Sequence, residues 1–275
     1  MTIKQNIFKI ILTVILFTIG ISMVLPVLWM VSSSLKYEAE VFKMPMEWIP
    51  REITSQNYQK AVTDFPYFKW YGNTFKTTFW IVVISLIFNS LSGYAFAKLR
   101  FHGREFIFAL FIATLMIPMQ VRIIPQFLIF KAFGMINTHY AVVLPWIYNG
   151  FAIFLMRQFF MTIPDEMIEA AKIDGSGEFR TFWQIVMPLA RPALIALTIL
   201  SFTWGWNQYF GPLIYLSETT KQVLAVGITN FKSQYSSNFA LQMAGSTLAL
   251  IPILAVYLIA QKHFIEGIAM SGIKG

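Results

Sequence analysis

TIPDEMIEAAKIDGSGEFRTFWQIVMPLA, residues 162–190, is a charged, glycine-broken island between long apolar runs, and how it is read decides what kind of molecule the chain makes. The chain around it is greasy: 57% of residues are hydrophobic, 17% aromatic and only 12% charged, with a mean hydropathy of +0.61. Apolar stretches of spanning length recur from end to end, which is the composition of a polytopic, all-α membrane protein. At about 20 residues per span there is room for roughly six helices and short connections, and none for a large soluble catalytic domain.

A pI near 9.6 raises nucleic acid as a partner, but the Lys and Arg are scattered over loop ends and form no stripe. They read as juxtamembrane charge, and no nucleic-acid partner is expected. The chain has no cysteine and three isolated His, which leaves no disulfide, no thiolate site and no His spacing suited to a metal. No metal and no bound cofactor are expected on this chain.

Six spans follow from the apolar runs: about 8–31, 74–97, 106–130, 140–160, 193–216 and 239–260. The first is too long for the apolar region of a signal peptide and is read as an uncleaved span. Residues 32–71 hold Pro45, Pro50, Pro66 and ten charges of both signs, so they form an extracytoplasmic loop with short helices. Orientation rests on Lys98, Arg100 and Arg104 in the tight link between the second and third spans, which the positive-inside rule places in the cytoplasm. Summed over every connection the bias is nearly even, so that link carries the assignment. Both termini then lie in the cytoplasm of a bacterial cell, with a tail over about 262–275.

No Asp or Glu falls within any of these spans. Arg122, in the outer half of the third, and His139, at the edge of the fourth, are read as the only ionisable residues of the spans. A carrier driven by protons or sodium ordinarily keeps acidic groups at mid-membrane despite an insertion cost of about 2.5–3.5 kcal/mol each. Their absence points to energy arriving from outside the chain. Pro118 and Pro125 break the third span, Pro145 the fourth, Pro212 the fifth, and Gly245 with Pro252 the sixth. Such breaks are either packing kinks or the shaping of a pathway. Gln120, Asn149, Trp206, Asn207 and Gln242 are the candidate pathway-lining residues, although amides in spans also bond neighbouring helices.

The island itself reads as two short amphipathic helices. Thr162 and Asp165 stand at capping spacing, Pro164 suits a first turn, and the first helix should run to about Asp174. Gly175 can take the left-handed conformation that closes it, and Ser176 can cap a second helix. That second helix carries Phe179, Phe182, Trp183 and Val186 at i, i+3, i+4 and i+7 and should end at Pro188. From the pattern alone, the pair either lies on the headgroups or docks into a groove on a soluble partner.

Glu169-Ala170-Ala171, then Asp174-Gly175, then Ile185 and Pro188, resembles the EAA signature of permease subunits in bacterial ATP-binding cassette (ABC) importers. Gly93-Tyr94-Ala95-Phe96-Ala97, Ile117-Pro118 through Ile124-Pro125, Trp206-Asn207 with Pro212-Leu213, and the ending Phe264 to Gly275 extend the resemblance over essentially the whole chain. The chain is similar to the smaller permease of the maltose-type carbohydrate uptake family. The resemblance implies a type I importer transmembrane domain over 1–275, of six spans with a cytoplasmic coupling-helix pair at about 162–190. It also implies a second homologous permease, two ATPase subunits that hold the ATP and Mg, and an extracytoplasmic solute-binding protein. Glu169, Ala170, Ala171, Asp174, Gly175, Phe179, Phe182, Ile185 and Pro188 would form the ATPase-coupling set. Glu169 would make the polar contact, the alanines would allow close approach, and the tail would be ordered only against a partner.

The chain has no G-x-x-x-x-G-K-[ST] phosphate loop, so it is not itself the ATPase. The expected function is therefore import of a carbohydrate through a non-catalytic membrane subunit. The alternatives are a permease for a non-sugar solute such as glycerol phosphate, and a stand-alone carrier or channel.

Overall fold

The computed structural model describes the backbone of residues 3–231 and 238–272, and the side chains of 6–231, 238–259 and 261. The described residues form helices and no strand. In chain order they are α1 (Ile3–Ser34), α2 (Glu38–Val41), α3 (Gln56–Thr63), α4 (Tyr67–Lys98), α5 (Arg104–Met116) and α6 (Met119–Ala132). There follow α7 (Tyr140–Met161), α8 (Asp165–Ile173), α9 (Glu178–Leu189), α10 (Arg191–Trp206), α11 (Phe210–Tyr215), α12 (Leu224–Thr229) and α13 (Phe239–Gly272). Helices α1, α4, α7 and α13 are each long and apolar enough to cross a membrane, and the bent pairs α5–α6 and α9–α10 bring the number to six if each pair counts as one span.

Four boundaries differ from the sequence expectation. The third span does not run straight over 106–130: α5 and α6 meet at 105°. Pro118 has no N–H to continue the ladder and biases the residue before it toward extended backbone, and Ile117 is extended at φ −86°, ψ 113°. The fifth span stops at Trp206 and does not reach residue 216, and the chain re-enters helix only at Phe210. At its other end α9 continues through Pro188 to Leu189 and turns 82° at Ala190 into α10. The missing N–H of Pro192 breaks the ladder there, in a first turn that tolerates it. The segment 262–272, expected to lack structure of its own, continues α13 as helix. Its side chains, and residues 273–275 entirely, lie outside the described residues.

By its internal contacts the chain divides into two compact units, residues 1–67 with 227–251 and residues 68–226 with 252–275. In the first, the end of α1 is finished by the expected loop. The Asn57 amide donates to the carbonyl of Ser34 (2.9 Å), left without a helical donor at the end of α1, and to that of Lys36 just beyond it (2.8 Å). Lys36 is buried beneath the Trp29 ring, its amine 4.1 Å from the centroid and donating to the Glu47 carbonyl. Burial lowers its pKa against the opposing pull of Glu47 and Glu40. The start of α13 is capped by the Asn238 side chain, which accepts from the Leu241 N–H, and by Glu38, which accepts from the Ala240 N–H. Both complement the positive end of the helix.

The second unit packs α4, α7 and α10 together. Gly93 of α4 lies so close to α7 that a β-carbon there would stand 2.6 Å from Met156 Cβ and 3.0 Å from the Arg157 nitrogen. Only glycine allows that approach. Further along, α4 widens into a π-turn at Ser85–Asn89, and the polar groups it frees form a ladder. Ser201 Oγ donates to Ser85 Oγ, Asn89 donates to Ser85 Oγ and the Trp146 carbonyl, and the Asn89 side-chain carbonyl accepts from the Asn149 N–H. The break in α7 between Ile147 and Gly150 is thereby satisfied inside the protein, as apolar surroundings require.

Candidate coupling segment and solute cavity

Residues 162–190 form a helix–turn–helix whose turn follows from one glycine. Gly175 sits at φ +78°, its N–H donates to the Lys172 carbonyl (3.0 Å), and the Ser176 N–H donates to that of Ala171 (2.9 Å). These are the two bonds of a Schellman closure, which needs a left-handed residue at this point. The expected side-chain caps do not form. Thr162 Oγ1 bonds back to the Phe159 carbonyl, Pro164 caps α8 without a side-chain bond, and Gly177 caps α9 while Ser176 Oγ accepts from Thr181. Asp165 and Glu166 still occupy the first turn of α8.

The segment is fastened to the body of the second unit at three places. Phe182, 1% exposed, packs with Val186, Ile168 and Ala190 into the core formed by Tyr94, Met156 and Phe160, with the Phe182 ring 5.1 Å from that of Tyr94. Burying Phe182 and Val186 contributes about 1.5–3 kcal/mol each. Lys98, at the end of α4, donates to the Ile163 carbonyl (2.6 Å) and to Asp165 (2.5 Å). That bond and charge hold the Asp165 carboxyl below its ordinary pKa. Glu178 joins the two short helices to α4, one carboxylate oxygen 2.5 Å from the Lys172 ammonium and the other accepting from Tyr94 Oη at 3.1 Å.

The apolar stripe expected on α9 is therefore split. Phe182 and Val186 turn inward, whereas Phe179 is 70% exposed and Trp183 lies at the rim with its ring against Phe179. Phe182 serves the core and not the outer face. Glu169, Ala170, Asp174, Gly175 and Pro188 are exposed, Ile185 is half-buried, and Ala171 is buried. The outer face also carries Ile173, 87% exposed, and Met167. The sequence pattern passes over both, although their positions out of phase with buried Ile168 and Ala171, by one residue for Met167 and two for Ile173, are the available signal.

A second feature lies within the same unit. Thr114, Leu115, Met119, Arg122, Gln126, Pro145, Trp146, Tyr148, Asn149, Gly150 and Gln208 line a cavity of about 260 Å³. Of the five candidate pathway residues only Asn149 borders it, and its side-chain oxygen caps α7 by accepting from the Ala152 N–H. Trp206 is buried against Tyr71 and Phe202, Asn207 bonds the Thr203 carbonyl, Gln120 is exposed beside the α5–α6 bend, and Gln242 bonds the Phe231 carbonyl in the other unit. Arg157 is a span cation missing from the sequence reading. It lies in α7 and is held by both oxygens of Glu105 and by the Phe96 carbonyl. No group of three or more metal-ligating side chains occurs among the described residues.

A bent-helix membrane domain bearing a firmly braced helix–turn–helix is the arrangement expected of a transport permease. The family described as "Binding-protein-dependent transport system inner membrane component" matches residues 1–269, and the chain belongs to it. The arabinooligosaccharides permease AraQ of Halalkalibacterium halodurans is 34% identical over 92% of this chain and 91% of its own. The sn-glycerol-3-phosphate permease UgpE of Yersinia enterocolitica is 36% identical over 94% and 95%. A crystal structure of a bacterial ABC transporter that imports the acidic polysaccharide alginate contains a chain 27% identical to this one, with a TM-score of 0.83 over 96% of this chain and 99% of that one. This chain is a multi-pass permease of the ABC importer type.

Proposed function

We propose that this chain pairs with a second, homologous permease to carry a carbohydrate across the cytoplasmic membrane by alternating access. ATP hydrolysis on two separate ATPase subunits drives it through residues 162–190. An extracytoplasmic binding protein delivers the solute, both termini are cytoplasmic, and the chain contributes no catalytic residue of its own. The observation that carries this reading is the triple fastening of the α8–α9 pair through the Phe182 core, Lys98–Asp165 and Tyr94–Glu178–Lys172. A knob so braced moves with α4 and α7, and its free face offers Glu169, Ile173 and Phe179 to a groove. Headgroup binding alone would not need such bracing.

The substrate class is supported by relatives named for arabino-oligosaccharides and alginate, while the UgpE relatives favour glycerol phosphate as a second reading. In the assembled importer, Glu169→Lys or Gly175→Asp is expected to abolish coupled uptake while membrane insertion persists. Normal uptake and ATPase association in both variants would remove these residues from the mechanism.

A further inference from the structure

We infer that Arg122 selects the charge of the transported solute, and that the cavity beside it takes a polyhydroxylated anion bearing a carboxylate or a phosphate. The inference rests on the importer reading above and deepens it. Arg122, exposed in the first turn of α6 just past the break at Pro118, has no ion-pair partner among the described residues, and no acidic side chain lines the cavity it borders. The contrast with Arg157 is direct, because that guanidinium in the neighbouring span is neutralised by Glu105. An unneutralised cation in a span costs about 2.5–3.5 kcal/mol on insertion scales and marks a solute or ion path.

The rest of the lining suits a sugar-like body. Gln208 lines the cavity and its Oε1 has no hydrogen-bond partner, so a turn of its side chain presents an acceptor to a solute hydroxyl. The amide nitrogens of Asn149 and Gln126 remain as donors, since the oxygens of those side chains are occupied by the Ala152 N–H and Tyr215 Oη. Trp146, its indole stacked 5.9 Å from that of Trp204, supplies an apolar ring face. Hydroxyl-directed amides, one aromatic face and one fork-shaped cation fit a uronate or a phosphate ester, which a guanidinium binds with two parallel hydrogen bonds.

The native chain has no cysteine, so a single reporter thiol tests this in the complete importer in proteoliposomes. Met119→Cys, on the cavity wall, is treated with an anionic (sulfonatoethyl) and a cationic (trimethylammonioethyl) methanethiosulfonate. With each rate divided by that for a free thiol in solution, the anionic reagent is expected to be favoured, the preference falling about tenfold when Arg122→Gln is added and surviving Arg122→Lys. A preference unchanged by Arg122→Gln, or no reaction with either reagent, overturns the inference. Leu115→Cys, also on the wall, replaces Met119→Cys if that variant fails to assemble. Uptake of trigalacturonate, glycerol 3-phosphate and maltotriose is measured in parallel. Accumulation of either anion, lost in Arg122→Gln, supports the inference and separates uronate from phosphate. Uptake of maltotriose alone, untouched by Arg122→Gln, overturns it. Uptake of none of the three counts against the importer reading instead, and the reagent ratio still decides the cavity's charge.

Discussion

Gly175 and Gly93 show how much of the coupling geometry depends on a missing side chain, for two different reasons. At Gly175 nothing lies within 4 Å of the place a β-carbon would occupy, so the backbone conformation at φ +78° is the whole constraint. Gly175→Ala should therefore cost about 1–2 kcal/mol and Gly175→Asn less, because Asn tolerates the left-handed region. Hydrogen exchange of the last-turn amides of α8 in the assembled importer reads that difference. At Gly93 the conformation is ordinary helix and space is the constraint. Gly93→Ala must push α4 from α7 and should lower stability by about 1–3 kcal/mol, whereas Gly72→Ala, in the same helix with nothing within 4 Å, should cost nothing. Thermal unfolding of the two variants in detergent separates them, and equal midpoints would deny the close approach.

At the scale of elements, the link between α4 and α8 is an ion pair with unequal surroundings: the Lys98 side chain is almost wholly buried and that of Asp165 mostly exposed. Because the folded carboxyl is depressed, its contribution is fully present above the ordinary carboxylate pKa of about 4 and is lost as pH falls through the lower folded value. Asp165→Asn should lower the unfolding midpoint at pH 7 by the equivalent of less than about 1 kcal/mol, given the exposed partner. The difference from wild type should close below about pH 4, and a gap that persists in acid would assign the effect to something other than this charge.

The elements also show what the sequence can and cannot reveal. The six apolar runs, the short helices after α1 and the turn at Gly175 are legible because hydropathy and a left-handed glycine act locally. The 105° bend at Pro118 and the stop at Trp206 are not, since a proline in a span is equally compatible with a mild kink and a full break. Phe182 and Phe179 cannot be assigned to opposite sides either. Helical spacing puts both on one stripe, and only packing against Tyr94 and Phe160 decides which one turns inward. Met167 and Ile173 escape for the converse reason, because helical spacing marks the apolar residues that pack on the chain's own core and not those left exposed.

For the whole molecule, the lack of acidic residues within the apolar runs of the sequence, the lack of a nucleotide loop and the braced α8–α9 pair fit one division of labour. On the reading proposed above, this chain holds the path and receives the stroke while another subunit supplies the energy. The face proposed to receive it bears Ile173 and Phe179, exposed at 87% and 70%, each of which would gain about 1.5–3 kcal/mol on full burial against a partner. The most direct measurement is ATPase association and solute uptake by the reconstituted importer carrying Ile173→Asp together with Phe179→Asp. The prediction is normal membrane insertion with association weakened, and uptake reduced, by more than about tenfold. Wild-type association and uptake in that double variant would contradict the assignment of residues 162–190 as the place where energy enters.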